Sequence, residues 1–262
     1  MNKPDVIGAY DSYLTHKNET DNRLRDSQKE DRYSASASGQ CSKKIWYEKH
    51  HPELKKPFAR TTLRTFQVGN LIGNDLDTGS TLFFNSQSGY KKYAEDYIKD
   101  DKLNIGGSFD LLLVDQIGHG YLYDYKTANI GSYAKMFGKN RAIDSTSGDH
   151  YRFQLGTYAY ILENNYKDKY GLVKIEYMAL IGFDKNFSNM AEIEVSNKYV
   201  DFAKRYWKEA GSIIESSIEP GPSSTVPYNA DWDCKYCNFN QYCNNPSNPE
   251  YKGNTNEKKI AI

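Results

Sequence analysis

The chain has 262 residues and carries 34 Lys and Arg against 34 Asp and Glu, so its formal net charge is zero. This balance excludes a protein that binds polyanions through bulk charge, but it leaves room for a local basic groove. With 23 Tyr, 11 Phe and 3 Trp, the chain has the aromatic surface for a packed core and lacks the composition of a disordered protein. It contains neither an apolar run of membrane-spanning length nor an N-terminal apolar segment of signal-peptide length. We therefore expect a cytoplasmic protein.

The first 64 residues are polar. Residues 1–35 mix charges of both signs and are predicted to be an N-terminal arm. The segment 43–64 holds seven basic and two acidic residues, a local balance of +5. This segment is interpreted either as an ordinary solvated face or as a strip that contacts phosphates.

Further along the chain, patterning predicts a mixture of strands and helices. Helical periodicity covers 149–163 and 197–217, whereas residues 244–262 are rich in Asn, Pro and Lys. We expect one main domain over 36–245 and a flexible tail over 246–262. The predicted strands are 103–114, 120–127, 172–182 and 190–195, of which the first two form a hairpin around Gly118 and Gly120.

Four cysteines divide into one and three. Cys41 stands alone, and Cys234, Cys237 and Cys243 form the pattern C-x2-C-x5-C. Clustering argues against scattered buried thiols, and two disulfides would need an oxidising compartment that nothing in the sequence indicates. Four thiolates suit either Zn²⁺ or an iron–sulfur cluster, and ligand type alone hardly separates the two.

The strongest indication of chemistry is an acidic hairpin. If the hairpin is symmetric about Ile117, Asp110 lies opposite Asp124, on one face of the sheet. Lys126 follows two residues after Asp124 and shares that face. Two carboxylates with a neighbouring carbonyl are typical of a hard-cation site such as that of Mg²⁺. The alternative is an ordinary salt-bridged hairpin surface.

One helix adds a polar pair to this hairpin. Gln154 and Tyr158 are spaced i, i+4 and therefore share a helix face. If this face points at the hairpin, the pair could hold Lys126 or a phosphate; otherwise it is plain surface.

Taken together, these motifs resemble the PD-(D/E)XK nuclease superfamily, and within it the RecB-type exonucleases that carry an iron–sulfur cluster. That group includes CRISPR-associated RecB-like exonucleases, AddB-type nuclease domains and phage relatives. The resemblance covers about residues 35–245. The motifs, in chain order, are the Ser-rich turn with Cys41, Gly107 to Asp110, Asp124 to Lys126, Gln154 to Tyr158, and the three C-terminal cysteines.

The resemblance implies an α/β fold in which helices flank a central mixed sheet, with a 4Fe-4S cluster joining the N- and C-terminal parts. It implies a metal-dependent DNA exonuclease in which Asp110, Asp124 and the Tyr125 carbonyl bind Mg²⁺ or Mn²⁺. Lys126 would position the attacking water, while Gln154 and Tyr158 would support Lys126 or the DNA backbone. The implied partners are single-stranded DNA or duplex ends and proteins of recombination or CRISPR adaptation, in a prokaryotic or phage-infected cytosol.

One position departs from the family pattern. Relatives often carry G-x-x-x-His on the first core helix, and here the matching segment runs from Gly69 to Gly73. That His is a metal ligand in the relatives that have it, so either Asp75 or Asp77 is expected to substitute or a water is expected to fill the position. The departure also keeps one alternative open, a cluster-bearing, nuclease-fold DNA-binding or scaffolding protein with weak or no catalysis. A further alternative is a zinc-stabilised DNA-binding protein of another class.

Overall fold

The computed structural model describes residues 5–29, 32–86, 89–138, 148–221 and 237–243. Contacts divide the chain into two units, each built from two separate stretches of sequence. Unit 1 comprises Met1–Ser38 and Phe58–Arg205, and unit 2 comprises Gly39–Pro57 and Tyr206–Ile262.

The elements of the described residues follow in chain order. The α-helices are α1 (Val6–Lys29), α2 (Ser42–His50), α3 (Arg60–Ser86), α4 (Ile130–Phe137), α5 (Asp149–Asn165), α6 (Lys167–Tyr170) and α7 (Lys198–Ile214). The strands are β1 (Tyr33–Ser34), β2 (Tyr90–Ala94), β3 (Tyr97–Asp100), β4 (Ile105–Ser108), β5 (Leu111–Asp115), β6 (His119–Ala128), β7 (Lys174–Asp184) and β8 (Met190–Glu194).

The larger sheet of unit 1 is mixed. Its strand order is β2-β5-β6-β7-β8, with β6 and β7 parallel and the other pairs antiparallel. A parallel pair needs a long crossover, and α4, α5 and α6 lie in the chain between β6 and β7. The predicted α/β class, with a mixed sheet flanked by helices, is confirmed.

Side-chain alternation along β6 shows that helices cover both faces of this sheet. Asp124 receives a hydrogen bond from Gln154 on α5, whereas the hydroxyl of the next residue, Tyr125, bonds Ser80 on α3. Since neighbouring strand residues point to opposite faces, α3 and α5 lie on opposite sides of the sheet.

The prediction of one continuous strand over 103–114 is wrong. The segment forms β4, in a three-stranded sheet of order β1-β4-β3, and then β5, in the five-stranded sheet. The break falls at Phe109 and Asp110. There the Phe109 carbonyl accepts a hydrogen bond from the Glu95 N–H, and the Asp110 carboxylate accepts one from the Tyr125 N–H. The Asp110 side chain thus accepts a hydrogen bond from the β6 backbone, beyond the residues of β6 that pair with β5.

The predicted N-terminal arm contains α1 and β1. On α1, Leu14 is buried and Asp11 accepts two hydrogen bonds from Arg64 of α3, at 2.8 and 2.7 Å. Paired, fork-shaped contacts of this kind fix the geometry of the two side chains. The division into residues 1–35, 36–245 and 246–262 stays a prediction, and residues 246–262 lie outside the described part of the chain.

Acidic partners neutralise much of the basic segment 43–64. Lys43 is buried and lies 2.8 Å from a Glu219 carboxylate oxygen, and Lys49 lies 2.6 Å from Glu215. Arg64 is engaged by Asp11, as described above. The two lysine ion pairs disfavour the interpretation of the whole segment as one continuous strip of phosphate-binding cations.

Unit 2 has its own small apolar cluster. Trp46 and Tyr47 of α2 pack with Phe239, and the Tyr47 and Phe239 rings are stacked with centroids 5.4 Å apart. Cys237 and Cys243 pack against this cluster. Among the helices of the described residues, none has the length and apolar character required to cross a membrane.

Candidate active site

The β5–β6 hairpin has the predicted register. Leu111 pairs with Tyr123 and Leu112 with Leu122, so the hairpin is centred on residue 117. Asp110 and Asp124 occupy the next positions beyond the Leu111–Tyr123 pair. An Asp110 carboxylate oxygen accepts a hydrogen bond from the Tyr125 N–H at 2.6 Å. The register therefore brings the two carboxylates to the same end of the hairpin.

Asp124 is fully buried and has two polar neighbours. Its Oδ2 lies 2.5 Å from the Lys126 ammonium, and its Oδ1 accepts a hydrogen bond of 3.3 Å from the Gln154 amide. The same amide lies 3.3 Å from the Tyr158 hydroxyl. Gln154 and Tyr158 thus face the hairpin and are not a plain surface pair. Gln154 contacts Asp124, however, rather than Lys126.

Gly107 explains the glycine of the G-x-x-D motif. A β-carbon at this position would lie 3.2 Å from both the Tyr158 hydroxyl oxygen and the Ala35 β-carbon. Such contacts are tight for a carbon atom, so glycine lets Tyr158 pack directly on the β4 backbone. Two motifs that are separate in sequence are therefore adjacent in space.

Lys126 remains a cation in this setting. Burial alone would lower the pKa of its ammonium, but Asp124 and Asp110 raise it above the ordinary value. The ammonium also lies 4.9 Å from the ring centroid of Tyr151, over the π face. Tyr151 was not predicted from the sequence; its position three residues before Gln154 on one helix face is the only signal for it.

Burial has the opposite effect on the two carboxylates, because it raises their pKa values. Burial raises the pKa of Asp124 to about 7; Lys126 opposes that shift and the Asp110 carboxylate adds to it. Burial likewise raises the pKa of Asp110, against the effects of Lys126 and of the hydrogen bond from Tyr125. Without a bound cation, the site therefore resists carrying both negative charges at once.

Glu95 is a site residue that the sequence analysis missed. It follows β2, and burial together with the charges of Asp110 and Asp77 raises its pKa to about 7. Its backbone is in the left-handed region, with φ of 54°, a conformation that non-glycine residues seldom adopt. The hydrogen bond from its N–H to the Phe109 carbonyl, 3.0 Å long, holds it there. Only the β2–β5 register could have revealed this position.

One face of α3 packs along the end of β6. A β-carbon at Gly69 would lie 3.0 Å from the Thr127 hydroxyl, and Ser80 bonds the Tyr125 hydroxyl at 2.8 Å. Gly73 lies one turn after Gly69 on this face, and a β-carbon there would meet no atom within 4 Å. Space for a side chain thus exists where the family pattern has its His.

The two acids proposed to replace that His are placed differently. Asp75 is exposed on α3. Asp77 lies one turn after Gly73, interacts electrostatically with Asp110, and forms an ion pair of 2.8 Å with Lys92. Of the two acids, Asp77 is therefore the one near the site, and Lys92 already neutralises it.

Comparison with known proteins identifies a family and similar solved structures. The family model of the PD-(D/E)XK nuclease superfamily matches residues 10–244, which is most of the chain. The chain belongs to the PD-(D/E)XK nuclease superfamily. Among solved structures, that of SSO0001 is similar at 16% identity and a TM-score of 0.56, covering 90% of this chain and 96% of the other. At this identity the likeness shows the fold alone.

A second solved structure is less similar. The crystal structure of a "putative exonuclease" from Eubacterium rectale matches at 12% identity and a TM-score of 0.34, covering 82% of this chain and 68% of the other. A search of curated protein sequences gives no match.

The donor set of this superfamily member fits a hard divalent cation. Asp124 Oδ2 is buried, and the Lys126 ammonium lies 2.5 Å from it. Oxygen donors from Asp124, Asp110 and a backbone carbonyl are the kind that Mg²⁺ and Mn²⁺ accept. The side chains do not converge as a finished cage, because in the described ranges no three His, Cys, Asp or Glu groups form a metal-binding cluster.

The cysteines lie in unit 2, and three of the four are described. Burial raises the pKa of the Cys237 thiol to about 11, and the charges of Cys41 and Cys243 contribute in the same direction. The three sulfur groups are therefore close enough to interact electrostatically. Cys234 lies outside the described residues.

We predict a pH-dependent stability difference between the wild type and Asp124→Asn in chelator. A raised folded-state pKa means that wild-type stability is present below the unfolded pKa and is lost as pH rises through about 7. The amide does not ionise, so the melting temperature of Asp124→Asn relative to wild type should rise between about pH 5 and pH 8. Thermal unfolding by circular dichroism measures this difference.

Adding Mn²⁺ at about pH 8 should then raise the melting temperature of the wild type but not that of Asp124→Asn, since only the former offers the buried carboxylate. Asp184→Asn removes a different buried carboxylate, at the end of β7, and should keep the response to Mn²⁺. A difference that shrinks with rising pH would contradict the raised pKa.

A second prediction concerns Gly73. Gly73→Ala should stabilise the chain by about 0.5–1 kcal/mol, because glycine disfavours a helix interior and no atom opposes the new carbon. Gly73→His should fold equally well and gain a larger Mn²⁺-dependent rise in melting temperature than Gly73→Ala. The alanine variant separates helix propensity from metal binding, and equal responses of the two variants would refute the placement of this position beside the cation.

Proposed function

We propose that this superfamily member is a Mg²⁺- or Mn²⁺-dependent deoxyribonuclease that hydrolyses phosphodiester bonds from DNA ends. The observation that carries the proposal is the buried Asp124–Lys126 ion pair, set beside Asp110 at the end of one hairpin. Burying an ion pair costs desolvation energy, so a structural role alone gives little reason to keep one with a second carboxylate next to it.

In this proposal each residue has a separate role. A divalent cation held by Asp110, Asp124 and the Tyr125 carbonyl would polarise the scissile phosphate and lower the pKa of a bound water. Lys126 stays protonated, orients the attacking water and offsets the negative charge that develops on the phosphate. The Gln154 amide donates hydrogen bonds to the Asp124 carboxylate and to the Tyr158 hydroxyl, and these contacts fix the orientation of the carboxylate.

A second candidate function is DNA binding or complex scaffolding with weak catalysis. Gly73 favours it, because the position offers no ligand and Asp77, one helical turn further on, is paired with Lys92. The two candidates differ in a measurable way, since a site retained only for structure would tolerate the loss of Asp110.

We also propose that Cys41, Cys234, Cys237 and Cys243 hold a 4Fe-4S cluster with a structural role. The electrostatic coupling of the three described thiols supports a shared centre. When bound, such a cluster would lower the thiol pKa values and add its binding free energy to folding. Recombination, repair, and phage or CRISPR DNA processing stay predictions for the biological setting, as do the partner proteins.

The first test of the nuclease proposal is cleavage of end-labelled single- and double-stranded DNA with Mn²⁺ or Mg²⁺. Asp110→Ala, Asp124→Ala and Lys126→Ala should each slow cleavage by about 100-fold or more, because each removes a charge aimed at the reacting phosphate. Lys126→Arg should also be slow, since a planar fork does not replace a compact ammonium.

Matched controls come from the same elements. Asp75→Asn removes an exposed acid of α3, and Lys91→Ala removes an exposed lysine of β2; both should cleave like the wild type. Cleavage that survives both Asp110→Ala and Asp124→Ala would remove this hairpin from consideration.

The cluster has its own prediction. Protein purified without oxygen should contain four iron and four sulfide per chain, and Cys237→Ser should lose both and unfold more readily, by on the order of several kcal/mol. Leu54→Ala disturbs the same aromatic cluster without touching a thiol, so it should keep its iron. Stoichiometric zinc without iron would replace the iron–sulfur assignment by a zinc site.

A further inference from the structure

Two tyrosines of α1 present an exposed aromatic surface. The side chains of Tyr10 and Tyr13 belong to residues that are 46% and 54% exposed, although both are large apolar rings. Their planes are 25° apart, with centroids 6.2 Å from each other. Rings that are this exposed offer aromatic surface to a flat ligand.

Two arginines of α3 accompany these rings. The Arg60 side chain is 76% exposed and lies 3.8 Å from Asp11, while Arg64 is fixed by the two hydrogen bonds to the same carboxylate. The Tyr10 hydroxyl is close enough to Arg64 to raise the pKa of that guanidinium slightly. Two positive charges against one negative charge leave a local balance of +1, which complements a phosphate backbone.

The surface is connected to the acidic hairpin through α3. Arg64 and Gly69 are five residues apart, about 8 Å along the helix axis. Gly69 in turn packs on Thr127, the neighbour of Lys126. A few nucleotides of single strand can span that distance.

We propose that Tyr10 and Tyr13, together with Arg60 and Arg64, bind the single-stranded part of a DNA substrate by stacking on its bases. The proposal rests on the nuclease function proposed above, and it adds that the DNA substrate is single-stranded where it contacts this surface. Stacking needs unpaired bases, because those of a duplex are already stacked on each other, and rings beside cations are the usual combination in single-strand binding.

The test is binding by fluorescence anisotropy in chelator, where the metal-dependent reaction cannot proceed. Two labelled probes of equal length are compared: an oligothymidylate and an oligonucleotide of abasic sites. Tyr10→Ala/Tyr13→Ala should weaken binding of the oligothymidylate by about tenfold or more and leave binding of the abasic probe unchanged, because only bases stack. Tyr10→Phe/Tyr13→Phe keeps the rings and should bind like the wild type.

Phe187→Ala is the control, since it removes a 68% exposed ring from the loop between β7 and β8. Unchanged binding of the oligothymidylate by the double alanine variant would overturn the proposal, as would equal losses for both probes. A change of oligomeric state in light scattering, with DNA binding intact, would assign the rings to a second copy of the chain and also overturn it.

The two proposals can fail separately. If the wild type cleaves DNA through Asp124 but the tyrosine variants bind normally, the stacking surface is wrong and the nuclease function stands. If base-dependent binding is seen without any cleavage, the surface stands and the nuclease function falls.

Discussion

The structure of the site depends on keeping Asp124 ionisable while it is completely buried. A lone buried carboxylate would be too costly as an anion, and Lys126, two residues along the same strand face, supplies the compensating charge. Gln154 then fixes the other carboxylate oxygen from α5. The β6 strand, its crossover to β7 and the position of α5 are therefore linked through one side chain.

Close packing connects the remaining motifs to that carboxylate. Tyr158, which contacts the Gln154 amide, also packs closely on Gly107, and Gly107 belongs to the same motif as Asp110. Asp110 in turn replaces a backbone acceptor for the Tyr125 N–H, at the point where β4 and β5 separate into different sheets. The motif from Gly107 to Asp110 therefore combines three features: the break between β4 and β5, the close packing of Tyr158 on Gly107, and the Asp110 carboxylate.

Local rules predict some of this and cannot predict the rest. The short symmetric loop sets the hairpin register, so the opposed positions of Asp110 and Asp124 follow from counting. Glu95 could not be found in this way, because it reaches the site through β2, whose pairing with β5 is set by packing. The two interpretations of the basic segment could not be separated for the same reason: Lys43 is paired with Glu219, more than 170 residues away, a contact that no local pattern encodes.

Charge balance gives a physical reason why the missing histidine need not abolish cation binding. Four acids interact electrostatically around the site, namely Asp77, Glu95, Asp110 and Asp124, and two lysines, Lys92 and Lys126, lie among them. Four negative and two positive charges leave −2 when all are ionised, which is the charge that one divalent cation neutralises. Burial, together with this excess of negative charge, raises the pKa of Asp124 and of Glu95 to about 7, so without the cation protons take up part of the negative charge. A neutral histidine would add a ligand at Gly73 but would not change this charge balance. The absence of the histidine should therefore weaken cation binding more than it changes the preference for a divalent ion.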